Sequence, residues 1–200
     1  MKTILLLVIA LGCSGLYSCQ RGYYAPNAQN VPLFQQGGEA RFMGSKSDEG
    51  DNTFDLQAAW SPVKYIGITG NYFKTVYDPR AHGHYYDFGA GGYFPFKNIV
   101  AELYGGIGQG YAYNNFELNR YIKNHLYKYF IQVNLGFTTK YIDIAYSGRF
   151  AKLQLYGISW WQTSDNTSNQ FTPELVKDLE MLENNKTTLI YEPALTVRAG

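Results

Sequence analysis

The sequence predicts an all-β chain: an antiparallel up-and-down β-barrel of about eight strands, with one short helix in a long connection. Three observations lead there. Beyond about residue 37, apolar and polar residues alternate with period two in eight successive segments. Aromatic residues make up 17% of the 200 positions, with 19 Tyr, 12 Phe and 3 Trp, whereas charged residues reach only 16%. That balance suits pleated strands, and the tyrosines suit an interface where a ring stays apolar and its hydroxyl stays wet. After the leader, no stretch approaches the roughly 18 apolar residues that a membrane-spanning helix needs, so any crossing falls to strands. Net charge is +1, which argues against a nucleic-acid partner.

The chain opens on Met1-Lys2-Thr3 followed by the apolar run Ile4 to Leu11, a signal peptide expected to cover residues 1–18. Leu16-Tyr17-Ser18-Cys19 matches a lipobox, so Cys19 is the expected acylated residue of the mature chain. Ala10-Leu11-Gly12-Cys13 is a weaker version of the pattern, and an ordinary leader without acylation is the remaining alternative. Both cysteines lie in this region, which excludes a disulfide framework. Residues 19–36 are then expected to be a lipid-anchored tether and residues 37–200 the barrel.

The strand segments fall at about 38–45, 52–61, 63–75, 83–95, 98–113, 127–138, 140–156 and 187–199. In the second, Phe54, Leu56, Ala58 and Trp60 alternate with Asp55, Gln57 and Ala59. In the sixth, Tyr129, Ile131, Val133, Leu135 and Phe137 alternate with Phe130, Gln132, Asn134 and Gly136. In the seventh, Ile142, Ile144, Tyr146 and Phe150 alternate with Asp143, Ala145, Ser147 and Arg149. Tight turns are expected around Ser61-Pro62, Pro95–Asn98 and Thr138–Lys140. Longer connections are expected at Ser45–Asp51, Thr75–His82, Asn114–Leu126 and Gly157–Lys186. The last contains the helical signal: Thr172 as N-cap, Pro173 at the first helical position, then Leu175, Leu179 and Leu182, running to Asn184. Short turns at one end and long loops at the other are the asymmetry of an outer-membrane barrel. A periplasmic N-terminus fits the short-turn side.

Alternation alone leaves open which face is inside. A lipid-tethered periplasmic barrel of lipocalin type would turn its apolar face inward around a small ligand. The polar faces favour the opposite arrangement, because they carry carboxylates, arginine, amides and glycine rather than the Lys and Glu of a wet surface. Glu39, Asp55, Asp87, Glu102, Asp143 and Glu192 are therefore expected to meet Arg41, Arg149 and Arg198 in one internal network. Strand-end aromatics Tyr65, Tyr93, Phe94, Tyr141, Tyr156 and Trp160 would form interface girdles.

Other motifs read weakly. Gly105-Gly106-Ile107-Gly108-Gln109-Gly110 has the wrong spacing for a dinucleotide fingerprint and reads as room for crowded strands. His82-Gly83-His84 near Asp87 lacks a third His or Cys ligand. Trp160-Trp161 suits an outer interface better than a sugar platform. A lipid-modifying enzyme would gather His82, His84, His125, Ser45 and Asp48 at the outer rim, without a local motif to support it. No catalytic residue, metal site or cofactor is expected.

Tyr24-Ala25-Pro26-Asn27, Asn30-Val31-Pro32-Leu33-Phe34 and Gly38-Glu39, leading into Asp55-Leu56-Gln57-Ala58-Ala59-Trp60-Ser61, resemble the opening of a group of uncharacterised small outer-membrane β-barrel lipoproteins of Gram-negative bacteria. The resemblance covers residues 19–75 in motif and the remainder in rhythm. It implies a fold and a location, with outer-membrane lipid and the outer-membrane insertion machinery as partners, and no activity. Such barrels end on an aromatic residue, whereas this sequence ends Arg198-Ala199-Gly200; that leaves open an unorthodox closure or further strands. The expected function is a non-enzymatic, structural or adhesive barrel lipoprotein.

Overall fold

The computed structural model describes residues 24, 26–47, 52–77, 81–117, 120–162, 176–177, 179–180, 183–184 and 187–199. The expected signal peptide, Cys13, Cys19, Asp48 and the expected helix start at Thr172 and Pro173 lie outside them. The strands are β1 Ala40–Ser47, β2 Thr53–Val63, β3 Ile66–Tyr77, β4 Ala81–Phe96, β5 Ile99–Glu117, β6 Arg120–Thr138, β7 Ile142–Gln162 and β8 Thr187–Ala199. Each pairs antiparallel with the next, in sequence order, to make one sheet curled as a half-barrel. Among the described residues β1 and β8 are not paired with each other. β8 carries Pro193, a residue that cannot donate to a ladder and that sheets tolerate at their edges.

The period-two pattern sorts side chains between two faces. On β2, Asp55, Gln57, Ala59 and Ser61 are buried on the concave side, while Phe54, Leu56 and Trp60 stand outside. On β7, Ser147 and Arg149 are fully buried while Ile144, Tyr146 and Phe150 are outside. The exterior is apolar, and the charged and amide side chains are gathered inside together with smaller apolar clusters, an arrangement opposite to that of a soluble core.

Turns cluster at one end. Two residues separate β2 from β3 and β4 from β5, with positive φ at Tyr65 and Lys97, and three separate β6 from β7. The opposite end, the loop end, carries the 162–187 connection. The expected long connection at Asn114–Leu126 is instead mostly strand: β5 runs on to Glu117 and β6 starts at Arg120. Polar Asn114, Asn115 and Asn124 hid the continuing alternation, which cross-strand ring pairs carry, with Tyr113 stacked on Tyr121 at 6.2 Å. β5, β6 and β7 reach 19, 19 and 21 residues. They extend well past the 9–11 residues that a bilayer requires.

Helical residues do occur in the 162–187 connection, at 176–177, 179–180 and 183–184. Leu179 is fully buried against Ile122 on the concave face, beside Trp160 and Val176. Trp160 therefore turns inward beneath the helix rather than joining an external girdle, while Trp161 is half exposed. Tyr93 is likewise interior: it is fully buried, and its hydroxyl shares a 2.9 Å hydrogen bond with Ser61 Oγ. Strand parity accounts for Tyr93, which shares the inward register of Tyr85 and Asp87. Trp160 has the outward parity of Phe150 and is turned inward by the irregularity at Gly157 (φ 59°), where the β6–β7 register shifts.

The stretch expected as a tether has a different position. Residues 27–34 run extended along the inside of the curled sheet, and Val31, Leu33 and Phe34 are fully buried there with Tyr93 and Val100. At the turn end the chain reverses. Gly38 N–H donates to Ser61 O at 2.6 Å, and the path continues into β1. The reversal passes so close to β2 that a Cβ on Gly37 would lie 2.7 Å from Lys64 N.

Candidate functional site: the filled interior

A segment lying against the concave face of a curled sheet has no ladder partner for its own peptide groups, and each unmatched group costs free energy. Strand side chains meet that need here. Ala28 N–H donates to Asp55 Oδ2 at 3.0 Å, and Phe34 N–H to Glu102 Oε1 at 3.2 Å. Gln35 and Gln36 N–H both reach Glu39 Oε1, at 3.1 and 2.7 Å. The carbonyls are served by cations and an amide. Arg149 Nη2 donates to Asn27 O at 3.0 Å, Arg198 Nη1 to Val31 O at 2.8 Å, Arg41 Nη2 to Leu33 O at 3.3 Å and Gln132 Nε2 to Asn30 O at 2.8 Å. Pro26 and Pro32 have no N–H to satisfy.

The nine expected interior residues lie on the concave side, but their ion pairs fall into two clusters rather than one network. Near the middle, Asp87, Lys128 and Arg149 are completely buried. Lys128 Nζ is 3.5 Å and Arg149 Nη1 3.7 Å from Asp87 Oδ2, and Arg149 Nε also pairs with Glu192 Oε2. Asn71 Nδ2 donates to Asp87, and Tyr24 OH to Glu192 Oε1 at 2.7 Å. Near the turn end, Asp143 Oδ2 lies 3.5 Å from Arg41 Nη1 and 3.2 Å from Arg198 Nη2, and Glu39 is 3.7 Å from Arg41. Asp143 thereby links side chains from β1 and β8 across the unpaired seam. Asp55 and Glu102 stand apart, held by amide donors: Asn134 Nδ2 donates to Glu102 Oε2 at 2.8 Å.

Lys128 was absent from the expected set although it shares the register of Phe130, Gln132 and Asn134. Its ammonium sits over the Tyr85 ring at 4.5 Å. Asn27 and Asn30 were also missed. Their signal was an amide-rich stretch, Asn27 to Asn30, bracketed by two prolines, a pattern with many hydrogen-bonding groups and no strand of its own.

The glycine run on β5 faces these bulky side chains. A Cβ on Gly106 would overlap the Phe130 ring, and one on Gly108 the Tyr85 hydroxyl. On Gly136 of β6 the same atom would overlap Leu33 of the inserted segment. The glycines therefore accept large interior partners, as the sequence suggested.

Outside, the apolar belt has a definite height. From the turn end, β7 presents Ile142, Ile144, Tyr146 and Phe150 before Lys152 and Gln154. β5 presents Ile99, Leu103 and Ile107 before Gln109; β4 presents Phe96, Phe94, Phe88 and Tyr86 before His84 and His82. On each strand the apolar stretch covers about ten residues, or about 25 Å at the strand tilt of a barrel. Tyr65, Phe94, Phe96 and Tyr141 rim its turn end. Each turn there also holds a lysine near one of these rings, Lys64 4.9 Å from Tyr65, Lys97 5.8 Å from Phe96 and Lys140 5.5 Å from Tyr141.

The three histidines lie on this outer face. His82, His84 and His125 all contact Tyr111, with centroids at 6.0, 6.0 and 4.9 Å. Asp87 points inward, so it does not join them, and no cluster of three metal-ligating side chains occurs among the described residues. Ser45 pairs in register with Asp55, on the inner face of β1, so it does not join the histidines on the outer face. Two depressions, of about 400 and 210 Å³, open on the outer face around Phe150 and around Phe88.

Comparison with known proteins adds nothing to this geometry: no family model, no curated protein and no solved structure matches the chain.

Proposed function

We propose that this chain is a non-enzymatic outer-membrane β-barrel lipoprotein, plugged by its own N-terminal segment, with a structural or adhesive role carried by its loop end. The observation that carries the reading is the inverted polarity. A belt about ten residues tall exposes Phe88, Ile107, Val133 and Phe150 on the convex side, while Asp87, Lys128 and Arg149 are sealed inside. In water so large an apolar exterior would drive aggregation; against hydrocarbon it is the favourable face. The height of the belt supports the same reading, as do the aromatic rim, the signal peptide and the lipobox ending at Cys19. The filled interior argues for a plug rather than a pore or a ligand vessel.

The test is purification of the full chain in detergent, electrophoresis with and without boiling, and planar-bilayer recording. Expected are a heat-modifiable band, a requirement for detergent and negligible conductance. A chain that stays monodisperse without detergent would overturn the membrane reading, and a large steady conductance would overturn the plug.

A further inference from the structure

The direction in which the inserted segment runs fixes which side of the barrel the upstream chain must come from. Phe34 lies near the turn end, with its ring 5.5 Å from that of Tyr93 and its N–H on Glu102, each only three residues from a turn-end strand terminus. Asn30 lies higher, bonded to Ala58 O at 2.9 Å and Asn71 Oδ1 at 3.1 Å. Asn27 is higher again, on Asp87 and Arg149. Tyr24 packs edge-on against Tyr85 at 6.5 Å. Tyr85 is eleven residues along β4 from Phe96. At a rise of about 3.3 Å and a tilt near 40°, Tyr24 stands about 28 Å above the turn end, level with the upper edge of the apolar belt.

We infer that the chain enters the barrel from the loop end, so that everything upstream of Tyr24, Cys19 included, lies on the same side of the membrane as the 162–187 connection. Tyr24 is only five residues on from Cys19, a reach of about 18 Å at full extension. That is too short to return to the turn end, and the route through the lumen is already filled by residues 27–34. An acyl group on Cys19 would therefore enter the loop-end leaflet. A turn end facing the periplasm is incompatible with an anchor in the periplasmic leaflet: with loops outside, the lipid is displayed outside. The same placement makes the chain a hairpin through the membrane, down the lumen and back up β1. It puts the anchor next to the surface that the loop end presents to a partner.

This inference rests on the membrane reading, and the experiment separates the two. Full-length variants R21C and S168C, expressed in cells, are treated with a membrane-impermeant maleimide before and after the outer membrane is opened. The parent chain is the control for labelling at Cys13 and Cys19. The heat-modifiable band verifies folding, and Q20C with T167C provides a second pair should the first disturb it. Expected is the same pattern at both sites: both labelled in intact cells, or both labelled only after opening. One site labelled and the other protected would overturn the shared side while leaving the membrane barrel intact. Recovery of the chain in the soluble fraction would overturn both.

Discussion

Arg149 Nη2 donates at once to the main-chain oxygen of Asn27, at 3.0 Å, and to its side-chain Oδ1, at 3.1 Å. One guanidinium thus holds the inserted segment by backbone and by side chain, while its remaining nitrogens face Asp87 and Glu192. With Lys128, two cations answer two carboxylates, so the central cluster is charge-balanced and largely buried. Loss of any one member leaves a buried charge without its partner.

Arg149→Met is therefore expected to destabilise the folded barrel by about 3–5 kcal/mol, since it strands Glu192 and strips Asn27 O of its donor. Arg149→Lys should recover part of that, because an ammonium can reach one partner but cannot fork between several. Pairing Arg149→Met with Glu192→Met should be milder than the single Arg149 change, because both ends of the ion pair are removed together. Urea midpoints of the heat-modifiable band measure all three. Additive losses in the double variant would contradict the coupling.

The packing of Leu33 on Gly136 gives a direct test of the inserted path, since residue 33 lies where a side chain on residue 136 would begin. Leu33→Cys combined with Gly136→Cys should form a disulfide under mild oxidation, in good yield and without loss of the folded band. Peptide mass mapping identifies it and distinguishes it from products of Cys13 or Cys19. An unlinked pair in a folded barrel would mean that residues 27–34 do not occupy the lumen.

Strands and their facing were legible in the sequence because a period of two survives without any tertiary knowledge. Asp55 and Phe54, or Arg149 and Phe150, separate by parity alone. The inserted segment was not, because Asn27, Gln29 and Asn30 have no periodicity; their partners lie 28 to 163 residues away in the chain. The split of the ionic network was hidden for a related reason. Parity places Asp55 and Glu102 on the inner face but says nothing of height, and height decides that they meet peptide N–H groups instead of arginines. Tyr93 shows the cost of reading aromatic residues by composition, since its parity already placed it inside, whereas Trp160 has outward parity and was hidden by the register shift at Gly157.

The turn end should sense anionic lipid. Lys64, Lys97 and Lys140 sit one to each turn, each close to an exposed ring, and no carboxylate occurs between the flanking strands in any of the three turns. Such a rim places cations at headgroup depth with the rings in the interface. In vesicles of phosphatidylcholine, the K64Q/K97Q/K140Q variant and the parent should unfold at similar temperatures. Adding phosphatidylglycerol should raise the parent's unfolding temperature and leave the variant's almost unchanged, and high salt should erase the difference. An equal rise in both would show that the three lysines do not meet the lipid phosphates.

The outward belt can be probed at its middle, where water and hydrocarbon predict opposite results. Val133 is 51% exposed on β6 and pairs in register with Leu103 of β5, itself 55% exposed, about halfway up the apolar stretch. On the surface of a water-soluble barrel, Val133→Arg would be almost neutral, since a half-exposed side chain can hydrate its charge. At the midplane of a bilayer the same change should cost about 2–4 kcal/mol. Lys152 supplies the internal reference: it already stands outward on β7, but above Phe150, where the apolar stretch ends. Lys152→Arg should therefore leave stability unchanged. Folding titrations into vesicles measure both, and a neutral Val133→Arg beside a neutral Lys152→Arg would mean that the belt meets water.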